Sequence, residues 1–290
     1  MPGSQFDLPL VGQVAVVTDS AASLSADLVQ GHSLLVVPLR VLAGGLAADD
    51  SRARISAAME EAVLAGERLT TARPGPDLFA AAYRQAADAG ACAIVSVHMS
   101  GQLSGTVSTA ELAAATAPVP VLVVDSGSIG MGLGLIVLAA ARAARAGLAA
   151  TGVVAVAKQC AAQCGSFFAL DSPQPLLAGG RLPEPPGSDS IALISRPLLE
   201  IRAGQVTMLE RVRTRSAAAD RLTELAAEFA AGRVVDLAIQ HTASPERATA
   251  LADRLARAIR QTRHVYLSEA DPVIRAHAGL GMLAVALAPC

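Results

Sequence analysis

Short apolar runs alternate with helix-like segments along the first half of the chain. The strand-like runs cover residues 14–18, 34–41, 92–97 and 119–124, and helical spacing of apolar positions marks 55–64, 79–89 and 111–117. Near-continuous apolar strands separated by helices predict a parallel sheet covered on both faces, with ligands collecting beyond the carboxyl ends of its strands. Three of these strands end alike. Residues 14–18 run into Asp19-Ser20, 119–124 into Asp125-Ser126, and 92–97 into the loop HMSGQLSGT. One such ending is an N-cap signal; three in one sheet place polar groups along one rim.

The pattern changes in the second half. Residues 171–189 (DSPQPLLAGGRLPEPPGSD) read as a loop or linker with a short helix. Strand-like pieces follow at 191–195 and 205–212, with a short turn at 202–204 that implies antiparallel pairing. An alanine-rich helix at 216–231, a strand at 235–240, a helix at 245–261 and strands at 264–267 and 282–288 complete the chain. The expected fold is therefore α/β in two domains. Residues 1–150 form a parallel-sheet α/β domain, and residues 151–290 an α+β domain with a largely antiparallel sheet.

Composition narrows the function classes. At 52% apolar and 17% charged residues, the 290-residue chain can bury a large core and is not intrinsically disordered. A net charge of -2 with 2% aromatics argues against nucleic acid as partner. The uncharged apolar stretch 126–141 is too short and too rich in Gly and Ser to span a membrane, and the amino terminus lacks a signal-peptide pattern. A cytoplasmic protein is expected. Cys92, Cys160, Cys164 and Cys290 form neither a disulfide framework nor a zinc spacing, which leaves buried free thiols as the expectation.

The loop SGQLSGT carries Ser100, Ser104 and Thr106 where a helix begins. Backbone N–H groups bared by glycine and flanked by hydroxyls suit a carboxylate or phosphate. The hydrolase elbow Gly-x-Ser-x-Gly is not met around Ser104, although Ser104, His277 and Asp125 could be drawn as a triad. No Walker motif is present, and the glycines after Asp125 suit close helix packing. Thr70 and Thr71 lie in a proline-bounded loop (LTTARPGPD), open to reading as a helix-start turn or a second polar loop. His277 precedes a Gly-x-Gly turn (HAGLG) at the start of the last strand. Arg211, Arg213 and Arg215 alternate and would share one strand face. That face is either solvated and paired with Glu200 or Glu210, or a contact for phosphate or an acidic partner.

In their order, the segments VAVVTDSAASL, VVPLRV, TTARP, SGQLSGT, VVDSGSIGMGLG, AGGRL, ISRPLL, RVRTRSAA and IRAHAGLG resemble the DegV family of bacterial fatty-acid-binding proteins over nearly the whole chain. The resemblance implies a non-catalytic carrier that holds one long-chain fatty acid between its two domains, with no cofactor and no metal. For some members it also implies a partnership with a separate ATP-binding kinase subunit, which makes an acyl phosphate for phospholipid synthesis. By position, Thr71, Ser100, Ser104, Thr106 and His277 would meet the carboxylate, and Arg181 and Arg73 would lie near the head group or face the kinase. The chain departs from the family pattern at Ala72 and Arg73, at Val107, and at Ala278 and Leu280. The competing classes are a serine hydrolase acting on acyl esters and a phosphotransfer subunit for a small ketone or sugar.

Overall fold

A computed structural model describes residues 13–42, 69–182 and 195–290. Strands β1 (Val14–Asp19), β2 (Leu35–Val37), β5 (Ala93–His98) and β6 (Val121–Asp125) form a parallel sheet in the order β2-β1-β5-β6. The run at 34–41 is interrupted at Pro38, which cannot donate to a ladder. Beyond it, β3 (Arg40–Leu42) pairs antiparallel with β4 (Thr70–Ala72), so the TTARP segment begins as a strand rather than as a plain loop. The helix expected at 55–64 lies outside the described residues.

The second sheet has the order β11-β10-β12-β7-β8-β9, built from β7 (Gly165–Ala169), β8 (Arg196–Arg202), β9 (Gln205–Val212), β10 (Val235–His241), β11 (Thr262–Glu269) and β12 (Leu283–Pro289). All its pairings are antiparallel except β10 with β11. The fold is thus α/β with a parallel sheet in the amino-terminal part and a largely antiparallel one in the carboxy-terminal part. The strand expected at 191–195 lies, but for Ser195, outside the described residues; β8 begins at Arg196, and its hairpin turn with β9 falls at Ala203-Gly204, where both residues have positive φ. Both are consistent with a tight primed hairpin turn.

Helices α2 (Pro76–Asp88) and α3 (Thr106–Ala114) cover the outer face of the parallel sheet through Phe79, Tyr83 and Ala110. Helices α7 (Arg215–Ala230) and α8 (Pro245–Ala258) cover the outer face of the second sheet through Leu222 and Leu251. Between the two sheets lie α4 (Met131–Arg145) and α5 (Ala150–Gln163). All but three residues of α4 are buried, as its apolar character on every side requires. One core joins Val16 and Val97 of the first sheet, Leu133, Ile136 and Val137 of α4, and Ala238, Ala286 and Ala288 of the second.

Strand β12 shows how the second sheet sorts its residues. Leu283, Val285 and Leu287 point outward to α7 and α8, while Ala286 and Ala288 point inward to α4. Small inward residues let the helix lie close to the sheet. Gly134 does the same on the other side, since a Cβ there would fall 2.8 Å from the Ala22 carbonyl oxygen and 3.0 Å from Met131 Sδ.

Two expectations are corrected here. Arg211, Arg213 and Arg215 do not share a face, because β9 stops at Val212. Arg211 reaches Ser195 Oγ, the Arg213 carbonyl accepts from Arg196, and Arg215 pairs with Asp171 at the start of α7. The thiols are not all buried either: Cys92 and Cys290 are exposed, and Cys160 and Cys164 are half-buried.

Gly134→Ala should lower stability, although alanine favours a helix by up to about 1 kcal/mol over glycine. Overpacking against a backbone carbonyl costs about 1–3 kcal/mol. Urea unfolding checks the sign, and a stabilised variant would contradict the tight seating of α4.

Candidate functional site

The two sheets part where α4 begins, and a cavity of about 370 Å³ opens there. That volume is in the range of small-molecule sites, roughly 300–1,000 Å³. Its walls are apolar: Met99, Leu103, Ile129, Phe168, Leu176, Ile201, Val206, Ile274 and Met282 are among them. Most of these belong to a separate hydrophobic cluster at this end of the molecule.

The charged groups and most of the hydroxyls gather at one end. Thr71 Oγ1, on β4, lies 2.8 Å from His277 Nε2. Thr71 is brought there by the β3–β4 ladder. His277 is in the last turn of α9 (Pro272–Ala278), a helix rather than a glycine-rich loop, and the turn expected from HAGLG follows it, with positive φ at Gly279 and Gly281. The sequence signal for α9 was Asp271-Pro272, an N-cap whose side chain accepts from Val273 N, followed by proline at the first helical position. The imidazole packs against Gly179 at the end of α6 (Gln174–Ala178), where Arg181 also donates to the Gly179 carbonyl. Burial lowers the His277 pKa from its ordinary value, and the Arg181 charge lowers it further.

Facing this group, the SGQLSGT loop leads into α3. Ser104 Oγ and Thr106 Oγ1 are 2.8 Å apart, and no side chain caps the helix, whose N-cap is Gly105. The first-turn N–H groups of α3 lack intrahelical partners and carry the positive end of its dipole. Arg73 lies over this turn, with Nη1 2.5 Å from where a Gly105 Cβ would sit. Thr71, Arg73, Ser104, Arg181 and His277 therefore line one cavity. Arg73 and Arg181 are the charged side chains among its lining residues, leaving that end with a positive potential.

Ser100 and Thr106 are placed differently. Thr106 is buried behind Ser104 as its hydrogen-bond partner. Ser100, 0% exposed, lies outside the cavity lining. Its Oγ donates to the Gly204 carbonyl at the β8–β9 hairpin tip (2.6 Å) and accepts from Gln102 N (3.1 Å). It joins the first sheet's loop to the second sheet's hairpin.

The residues drawn as a hydrolase triad are not assembled. Asp125 accepts from the backbone N–H groups of Gly101 and Gly127, and His277 bonds Thr71. A different Asp–His–Ser chain exists inside the first sheet. His98 bridges Asp19 (3.0 Å) and Ser96 (2.6 Å), and Ser96 meets Tyr83 (2.9 Å). The side chains of all four are fully buried and away from the cavity. Asp19 also accepts from Ala21 N and Met99 N, so the network ties together the ends of β1 and β5. Burial pushes the Tyr83 phenol up to about 12, with the Ser96 hydrogen bond opposing.

Sequence reasoning missed two polar side chains of the lining, Ser166 on β7 and Gln240 on β10. The alternation along VDLAIQH puts Gln240 on the same inward face as Ala238, which was the available signal.

Fold and cavity together define a two-sheet α/β protein with a buried apolar site, polar at one end. The chain belongs to the DegV family, whose description matches residues 13–289. It is 42% identical over 272 residues to a DegV domain-containing protein of Streptomyces coelicolor, covering 94% of this chain and 97% of that one. A DegV domain-containing protein of Mycobacterium tuberculosis is 34% identical over 273 residues, covering 94% and 96%. Among solved structures, a fatty-acid-binding DegV family protein from Thermus thermophilus superposes with a TM-score of 0.88 at 27% identity, over 96% of this chain and 100% of that one. DegV of Bacillus subtilis, a fatty acid binding protein, gives 0.84 at 25% identity, over 96% and 100%.

Ser100→Ala should destabilise the protein by about 1–3 kcal/mol, since it leaves the Gly204 carbonyl without its donor. Urea unfolding measures this, and unchanged stability would mean that the hairpin tip is held by other contacts.

Proposed function

We propose that this protein binds a long-chain fatty acid in the cavity and carries out no chemistry on it alone. The observation that carries this reading is one largely apolar cavity whose charged side chains both stand at one end. A chain with a carboxylate at one terminus has the same distribution. Ser104, Thr71 and the α3 N-terminus would donate to the carboxylate, His277 would sit beside it, and Arg73 and Arg181 would balance its charge. Hydroxyl and amide donors hold an anion without the bidentate clamp of a guanidinium, so a carboxylate oxygen stays available as a nucleophile. The fatty-acid-binding relatives from Thermus thermophilus and Bacillus subtilis support the ligand class.

The family resemblance supports a further step in the cytoplasm. A separate ATP-binding subunit would dock at the head-group end, where Arg181 is exposed. A carboxylate oxygen would attack the γ-phosphorus of ATP, forming the acyl phosphate and releasing ADP, and the product would feed phospholipid synthesis.

Denaturing extraction followed by mass spectrometry should recover a fatty acid, and delipidated protein should take one up again. Ser104→Ala and Thr71→Val should each weaken that uptake by about 1–3 kcal/mol. A protein that neither carries nor takes up a fatty acid would refute the reading.

The lowered pKa of His277 gives binding a pH dependence. In the empty site the imidazole is neutral near neutral pH, and a carboxylate beside it favours the charged form and raises its pKa. Binding takes up a proton in the window between those two values, so affinity rises as pH falls through it. Titration calorimetry between about pH 8 and pH 6 should show this rise, and His277→Gln should flatten it. A wild-type affinity independent of pH would place the carboxylate away from His277.

A further inference from the structure

The cavity wall away from the head group is not uniformly apolar. Gln240 is 3% exposed, lines the cavity, and its Nε2 has no hydrogen-bond partner. A buried amide left unpaired costs about 1–3 kcal/mol, so its presence on a wall shared with Phe168, Ala284 and Ala286 calls for a partner. Ser166 Oγ, on the same wall, has no oxygen or nitrogen hydrogen-bond partner, and the Cys164 thiol and the Ser128 hydroxyl lie near it. Between them begins α4. Gly130, Met131 and Gly132 line the cavity, and no side chain caps this 15-residue helix. A Cβ on Gly130 would fall 2.5 Å from Gln240 Oε1, and one on Gly132 would collide with Ser166 Oγ. The two glycines thus keep the bare helix turn against the two side chains.

The position of this group along the cavity follows from α9. Ile274 lies 3.6 Å from the same Gly130 Cβ position, and it precedes His277 by about one helical turn. Gln240 pairs in register with Ala284, which faces Phe168, whereas Ser166 pairs with Ala286, one inward position further along. The polar group therefore sits partway down the acyl path and continues away from the carboxylate. Its donors are neutral, while Arg73 and Arg181 both stand at the other end, so a charged group goes there and a neutral polar group here. A hydroxyl both donates and accepts, and it matches the Gln240 amide in either orientation.

We infer that this protein is selective for fatty acids carrying a hydroxyl in the middle of the chain, read by Gln240 with Ser166 and the start of α4. This rests on the fatty-acid reading above and specifies which acyl chains the site takes. An unsubstituted chain would bury the amide against methylenes, whereas a mid-chain hydroxyl would satisfy it.

The test compares delipidated protein binding stearate with its binding of hydroxystearates whose hydroxyl is stepped along the middle of the chain. One position, or two adjacent ones, should bind roughly tenfold more tightly than stearate, the effect of one recovered buried hydrogen bond. Gln240→Met, apolar and close in shape, should remove that preference while stearate binding is kept or tightened. The wild-type ranking needs no variant, so a poorly folding Gln240→Met leaves the test intact. If stearate binds and no hydroxystearate exceeds it, or if the preference survives Gln240→Met, the hydroxyl inference is overturned and the fatty-acid reading stands. If no acyl chain binds at all, both fall.

Discussion

The seating of α4 between the two sheets sets the geometry on which everything else depends. The helix is apolar on all sides and finds burial only by touching both sheets at once. Alanines on β10 and β12 and Gly134 on the helix keep that contact close. The spacing between the sheets is therefore fixed by a helix diameter, about 10–12 Å with side chains. Where the helix stops, the spacing persists without the filler. The cavity is the continuation of the space α4 occupies, walled by the same inward faces.

That origin explains why the cavity is mostly apolar and why its polarity is confined. Inward faces of a two-sheet core carry small or apolar residues, because an unpaired polar group there is costly. The cations and most of the hydroxyls enter where loops from the first sheet meet α9 and the end of α6 from the second, while Ser166 and Gln240 stand on the inward face of the second sheet. The carboxyl ends of the parallel strands supply Ser104 and the α3 start, and the β3–β4 ladder brings Thr71 and Arg73. The second sheet's side supplies His277 and Arg181. Neither half holds the polar end alone, and the Ser100 bond to the β8–β9 hairpin keeps the halves in register.

Much of the fold was legible because its signals are local. The apolar runs ending in Asp19, His98 and Asp125 pointed to the parallel sheet, and the short turn at 202–204 pointed to the antiparallel hairpin. Less visible were features that depend on contacts distant in sequence. Nothing around Ser100 in the chain indicates a bond to Gly204, 104 residues away. The alternation of Arg211, Arg213 and Arg215 looked like a strand face because periodicity does not show that β9 ends at Val212. His277 read as a loop residue because the glycines after it outweighed the Asp271-Pro272 start before it. Gln240 is the instructive case: its inward position was legible, but its lack of a partner needed the packed structure.

The crystal structure of the protein bound to stearate tests the central claim most directly. The carboxylate should lie within hydrogen-bond reach of Thr71 or Ser104, between Arg73 and Arg181, with the chain running along Phe168 and Ala284 toward the start of α4. A carboxylate found instead at Gln240 and the α4 N-terminus, with the methyl end among the hydroxyls, would contradict it.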